Sequence, residues 1–240
     1  MTNMIIFGAS RGLGAAFATG LPTAGDTVWL VSRKKPEFLD GSLNEIDFHW
    51  IQADLAEPNA AELISKTIGN NSLDLLLYNA GIWESTAFSD DYDFEKLDPA
   101  ENQRLIAVNL TAAIDCIQVL LSNVRQAQHG KIIVIGSTSS VPNNGAPEIA
   151  YTATKFGVLG MVHALREITR PDGIAVTCIN PGLIATEIKL EDEAEKLIGY
   201  SGEFGLPVGD LVKVVQMIMS LSQFSCVKEI NIPAMSDPDV

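Results

Sequence analysis

Short apolar runs recur along the chain, and most are followed by turn residues and a stretch of helical periodicity. Met4–Phe7 opens the series; Val28–Val31, the weaker His49–Ala53, Leu73–Tyr78, Lys131–Ile135 and Ile174–Asn180 continue it, and Glu229–Ile232 is a candidate seventh. The runs are apolar on both faces, as strands inside a parallel sheet should be. Between them the apolar spacing predicts helices near Gly12–Gly20, Glu57–Ile68, Ala100–Gln126, Tyr151–Arg170 and Pro207–Ser222. Ser32–Phe48 fits neither period. Alternation of this kind predicts an α/β fold: a doubly wound, mostly parallel sheet of seven strands with helices on both faces. No repeat, low-complexity tract or linker interrupts it, so residues 1–240 read as a single domain.

Composition fits that picture. At 47% apolar the chain can bury a sizeable core, and disorder is expected only at Ser236–Val240. A net charge of −14, from 16 basic and 30 acidic residues, argues against nucleic acid or an anionic membrane as partner. It leaves room for a small anion held by a local basic cluster. Cys116, Cys178 and Cys226 form no C-x-x-C pair and have apolar neighbours, which predicts reduced, buried thiols. His49, His129 and His163 are too scattered in sequence for a metal site, so no metal is expected. No signal segment opens the chain and no apolar run reads as long enough to cross a bilayer, so cytoplasm is the default location.

The first candidate chemistry lies between the first strand and the first helix. Gly8-Ala9-Ser10-Arg11-Gly12-Leu13-Gly14 is a glycine turn of the Rossmann type. Glycines let the backbone turn tightly and approach a pyrophosphate, to which the helix start presents N–H groups. The choice of dinucleotide is read further on. An NAD(H) site usually carries an acid about 20 residues later, on the ribose 2′-OH. Here Ser32 stands at that place, followed by Arg33-Lys34-Lys35, and Val28–Lys35 contains no acid. With Arg11 in the turn itself, this favours the 2′-phosphate of NADP(H), with NAD(H) the lesser fit.

The second candidate is Tyr151-Thr152-Ala153-Thr154-Lys155. Positions four apart share a helix face, so phenol and ammonium point the same way. A free tyrosine titrates near about 10, and a neighbouring cation favours its phenolate. Such a pair suits proton transfer to or from an alcohol or carbonyl oxygen.

Taken in order, the motifs resemble the short-chain dehydrogenase/reductase family over about residues 4–187. They are Gly8-x-x-x-Gly12-x-Gly14, Asp54-Leu55, Asn79-Ala80-Gly81, Asn109, Ser137, Tyr151-x-x-x-Lys155 and Pro181-Gly182. The resemblance implies hydride transfer between NADP(H) and a small carbonyl compound or secondary alcohol. It implies Asp54, with Leu55 beside it, near the adenine, and Asn79-Ala80-Gly81 beside the cofactor. Asn109 would hold a relay water, Ser137 would bond the substrate oxygen, and Tyr151 would be the acid/base. Lys155 would bind the nicotinamide ribose and tune Tyr151, and Pro181, Gly182 and Thr186 would flank the nicotinamide. A cofactor-sensing protein without turnover is the alternative, and it would be expected to have lost part of that set.

Two departures stand out. The family's serine lies thirteen positions before its tyrosine, where this chain has Thr138; Ser137 is assigned by strand alignment, with Thr138 in reserve and the extra residue in Pro142–Glu148. The end, Glu229-Ile230-Asn231-Ile232-Pro233-Ala234, lacks the Asp-Gly-Gly of many relatives. Leu183–Leu206 follows the sixth strand and should form a substrate lid. Arg104–Leu121 is apolar nearly all round, which predicts burial against a second subunit in a homodimer or homotetramer. Acidic residues after the fourth strand (Asp90, Asp91, Asp93, Glu95, Asp98) and the sixth (Glu191, Asp192, Glu193, Glu195) predict a cleft unfriendly to polyanions.

Overall fold

A computed structural model describes residues 1–41, 45–141, 146–192 and 205–235. The Ser236–Val240 tail therefore lies outside the described residues, as does half of the expected lid, residues 193–204. The strands are β1 (Asn3–Phe7), β2 (Thr27–Ser32), β3 (Asp47–Gln52), β4 (Leu75–Tyr78), β5 (Lys131–Ile135), β6 (Ala175–Pro181) and β7 (Glu229–Ile232). The α-helices are α1 (Gly12–Gly20), α2 (Ala60–Ile68), α3 (Pro99–Ile106), α4 (Ala112–Arg125), α5 (Ile149–Thr169) and α6 (Val208–Ser220). All seven strands pair in parallel, in the order β3-β2-β1-β4-β5-β6-β7. The order reverses between β1 and β4, and the ends of those two strands open the crevice where such sheets hold ligands.

Side-chain alternation divides the core. Ile5 and Phe7 of β1 join the layer that contains α2, α4 and α5 residues, whereas Met4 and Ile6 join that of α1 and α6. Apolarity on both faces holds for the five interior strands. β3 and β7 are edges and alternate instead: Asp47, His49, Glu229 and Asn231 are exposed while Phe48, Trp50, Ile230 and Ile232 turn partly inward. Within Ser32–Phe48 the chain makes a 3-10 turn over Glu37–Asp40.

Two expectations need correcting. Pro99–Arg125 runs as one helix, long and apolar enough by length and composition to cross a membrane. Its buried side chains, among them Leu105, Ala113, Cys116, Leu120 and Val124, are core residues of the sheet's first layer, which accounts for its apolarity. Cys116 and Cys178 are buried as expected, but Cys226 is exposed in the loop before β7.

Candidate active site

Where β1 ends, backbone conformation fixes the residue type. Gly8 has φ +77° and Gly12 φ +53°, in a region that L side chains rarely adopt. Gly14 is required by space: a Cβ there would lie 2.0 Å from the Gly8 carbonyl oxygen. The Asn79 amide donates to the same oxygen at 3.4 Å, which ties the turn after β1 to the turn after β4. Arg11 occupies the N-cap of α1 without a side-chain capping bond, so the leading N–H groups of α1 have no side-chain acceptor. A phosphate fits that end of the helix. Leu13 is buried and Ser10 half-buried in the turn. Ala80 packs against Gly8, and Thr186 reaches Gly12 from beyond β6: a Cβ at Gly12 would lie 3.2 Å from that of Thr186. The amide of Gly182 is held by the Ile232 carbonyl at 3.1 Å, with Pro181 buried before it.

α5 carries Tyr151 and Lys155 one turn apart. The Lys155 ammonium lies 5.5 Å from the Tyr151 ring centre and donates to the Ile135 carbonyl at 3.1 Å. Burial drags Lys155 down to about 8. Burial also pushes the Tyr151 phenol up; the Ser137 hydroxyl beside it pulls it back, while the Glu148 and Glu84 carboxylates push it further up. Ser137 Oγ also accepts from the Ser139 amide at 3.1 Å, which fixes the hydroxyl just past β5. Thr138 is buried and opens the 3-10 turn Thr138–Ser140. The supposed extra residue of Pro142–Glu148 falls partly outside the described residues.

Asn109 sits in a π turn, Ala107–Thr111, that joins α3 to α4. Its Oδ1 accepts from the Ile82 amide at 2.8 Å, and its Nδ2 donates to the Ile82 carbonyl at 2.8 Å and to Thr154 Oγ1 at 3.1 Å. Both amide protons are engaged, and the side chain clamps the loop after β4. Gly81 closes the group: a Cβ there would stand 3.6 Å from Lys155 Nζ and 3.7 Å from Asn109 Oδ1. Asn109, Gly81 and Lys155 therefore meet at one point.

The other end of the candidate cleft is polar. Arg33 is exposed beyond β2. Ser32 is buried, and its hydroxyl donates to the Lys34 carbonyl at 2.7 Å and accepts from Trp50 at 3.1 Å. Its single proton is thus engaged in closing the turn that presents Arg33. Asp54 accepts from Arg104 at 2.8 Å and from the Ala56 amide at 3.0 Å. Burial raises its carboxyl, but these bonds and the charges of Arg104 and Arg33 outweigh that and hold it below its ordinary range. Leu55 packs against the core.

The comparisons with known proteins agree with this geometry. The family model described as short chain dehydrogenase matches residues 2–197. The chain belongs to the short-chain dehydrogenase/reductase family. It is 31% identical to carbonyl reductase family member 4 of Xenopus laevis over 208 residues, 84% of each chain. It is also 31% identical to the 3-oxoacyl-[acyl-carrier-protein] reductase FabG of Rickettsia prowazekii over 213 residues, 85% of this chain and 83% of that one. Among solved structures, L-sorbose reductase of Gluconobacter frateurii, complexed with NADPH and L-sorbose, superposes with a TM-score of 0.80 at 20% identity, covering 100% and 97% of the two chains. A 4-hydroxyisoleucine dehydrogenase complexed with NADH has a TM-score of 0.80 at 23% identity, covering 98% of each.

Several residues of this short-chain dehydrogenase/reductase were not singled out from its sequence. Glu84 is fully buried, and one carboxylate oxygen accepts the amides of Ala150 at 3.0 Å and Tyr151 at 3.1 Å. It caps α5 from the loop after β4, and no side chain at the helix's own N-cap does so. A negative charge is favourable at that end. Glu148, also buried, accepts the Phe88 amide at 2.8 Å. The signal available was the absence of Ser, Thr, Asn or Asp immediately before the Tyr151 helix, which required an acceptor from elsewhere. Thr154 and Arg104 carried no signal beyond their helical positions.

Proposed function

We propose that this chain is an NADP(H)-dependent oxidoreductase that moves a hydride between the nicotinamide and a small carbonyl compound or secondary alcohol, with Tyr151 as acid/base. The carrying observation is the buried Ser137 hydroxyl beside the Tyr151 phenol, with the Lys155 ammonium 5.5 Å from the phenol ring. The glycine turn, the uncapped start of α1 and the side-chain-free approach at Gly81 fit a dinucleotide. That relatives of the same fold are complexed with NADPH and with NADH supports a nicotinamide cofactor. Arg33 and Arg11, both exposed, favour the 2′-phosphate.

A bound nicotinamide supplies or accepts the hydride. The protein handles the proton and the charge. In the reducing direction Ser137 donates to the substrate oxygen as negative charge grows there, and Tyr151 delivers its proton to that oxygen. Lys155, cationic below about 8, makes the phenol a better acid and is placed to bond a ribose hydroxyl. Asn109 and Glu84 hold the loop after β4 and the start of α5 in register.

The same reading makes residues 1–240 one catalytic domain, with Leu183–Leu206 as its substrate lid. It places the protein in the cytoplasm as a homodimer or homotetramer, paired through the exposed side chains Ile106 and Ile114 of α3 and α4 and Phe156 of α5. Light scattering at micromolar concentration tests the assembly. The decisive test of function is NADPH oxidation, followed by absorbance, against ketones, aldehydes, quinones and ketoacyl thioesters; no consumption with any class would refute it.

A further inference from the structure

Phe88 is the one non-glycine residue among those described with positive φ, at +60°. Strain of this kind persists only where surroundings enforce it. Here the buried carboxylate of Glu148, at the N-cap of α5 and three residues before Tyr151, accepts the Phe88 amide at 2.8 Å. The ring so positioned stands edge-on to Tyr151, with centroids 5.4 Å apart and planes at 89°. Trp83 also meets the Phe88 ring, with centroids 6.0 Å apart and planes at 65°. Despite these contacts both side chains remain open, Phe88 at 51% and Trp83 at 55% exposure. Packing alone would have turned them inward. A strained backbone and a buried acid instead hold two aromatic faces in solvent beside the acid/base residue.

The charges nearby select among carbonyl compounds. Asp90, Asp91, Asp93 and Glu95 follow on the same loop. Its only cation, Lys96, pairs with Asp93 at 2.5 Å. An anionic substrate meets no free countercharge on this loop, whereas a neutral flat ring meets two aromatic partners.

We propose that Trp83 and Phe88 form the substrate-facing wall, and that the preferred substrates are neutral carbonyl compounds bearing an aromatic ring next to the carbonyl, or the corresponding alcohols. This rests on Tyr151 being the acid/base.

The test uses the full chain with NADPH and three probes: acetophenone, 2-butanone and acetoacetate. kcat/KM should favour acetophenone over both others by at least about tenfold, the usual scale for apolar-pocket discrimination. Trp83→Ala and Phe88→Leu should each reduce the acetophenone-to-butanone ratio several-fold, chiefly through the KM for acetophenone. A wild type without that preference, or a ratio unchanged in both variants, overturns the proposal. Calorimetric titration of 1-phenylethanol into the NADPH-loaded protein separates the two ideas. Saturable binding weakened by Trp83→Ala, with no turnover of any probe, keeps the aromatic wall and refutes the activity. No binding and no turnover refute both.

Discussion

The Tyr78 hydroxyl donates to the Val108 carbonyl at 2.8 Å across the interface between β4 and the long helix. That carbonyl is available because the amide of Ala112, its ordinary helical partner, bonds instead to Ala107. The π turn thus exchanges one helical bond for a bond to the sheet, and it rotates Asn109 onto the Ile82 backbone. Burial pushes the Tyr78 phenol well up, so it stays a neutral donor.

Tyr78→Phe should therefore act in two ways. It leaves a buried carbonyl without its donor, at a cost of about 1–3 kcal/mol. For a domain of this size that is roughly 2–4 °C of Tm per kcal/mol. It also removes the restraint on the π turn, so turnover should fall several-fold through displacement of Asn109 and the loop after β4. Differential scanning calorimetry and steady-state kinetics read the two effects. A variant with unchanged Tm and unchanged kcat would mean that the turn is fixed elsewhere.

Lys155 carries a cost that the fold accepts. Unfolded, a lysine titrates near about 10.4; in the fold Lys155 is lowered to about 8 by burial. Between those values the unfolded chain holds a proton that the folded chain has lost, so stability rises with pH through that window. Below about 8 the full penalty of a buried ammonium is present, at about 1.4 kcal/mol per pKa unit. Lys155→Met keeps the length and removes the charge, but it deprives the Ile135 carbonyl of its donor. The charge effect should be the larger, so the variant should melt at or above the wild-type temperature at neutral pH while losing turnover. Its advantage should shrink towards about pH 10, where wild-type Lys155 is neutral in the fold. A variant plainly less stable at neutral pH would refute the assigned penalty.

Much of the framework was legible because its signals are local. The five interior strands lie where apolar runs stand, since interior strands of a parallel sheet need no polar face. The glycine turn is readable because the φ of Gly8 and Gly12 strongly favours glycine. What escaped depends on long-range partners. Glu84 reaches α5 across 66 and 67 positions, and Asp54 meets Arg104 across 50. No period or spacing encodes such pairs. The partners of the Asn109 side chain escaped for the same reason, because Ile82 and Thr154 lie far from it in sequence. The Trp50 side chain that engages Ser32 likewise comes from the neighbouring strand.

Cofactor preference turns on Arg33. It is exposed beyond β2, and its charge reaches Asp54. An arginine at that place can make charge-assisted bonds to a 2′-phosphate, worth about 1.5–3 kcal/mol. Arg33→Asp should weaken NADPH binding by at least several-fold and leave NADH binding equal or stronger, because the new acid can accept from a free 2′-OH. Fluorescence titration with both cofactors measures this. Equal wild-type affinity for NADPH and NADH would refute the preference, whatever the variant does.

The acid/base assignment makes the sharpest demand. Tyr151→Phe removes one oxygen and keeps the ring that packs against Phe88 at 5.4 Å, so the fold and the glycine turn should be undisturbed. Cofactor affinity should stay near wild type. Turnover should fall by at least the 10²–10⁴-fold typical of general acid–base catalysis. Ser137 and Thr138 can be ranked by the same assay. The Ser137 hydroxyl stands beside Tyr151, and a neighbouring backbone amide fixes its oxygen. Ser137→Ala should therefore lower kcat more than Thr138→Ala; the reverse order would transfer the substrate-oxygen role to Thr138. Because Ser137 pulls the Tyr151 phenol down against burial, Ser137→Ala should also raise the pKa of the phenol. In the oxidising direction, where the phenolate is the active form, the rise of activity with pH should then move to higher pH. A Tyr151→Phe enzyme that binds NADPH normally and still turns over within about tenfold of wild type, less than an acid/base group contributes, would end the mechanism even with fold and cofactor intact.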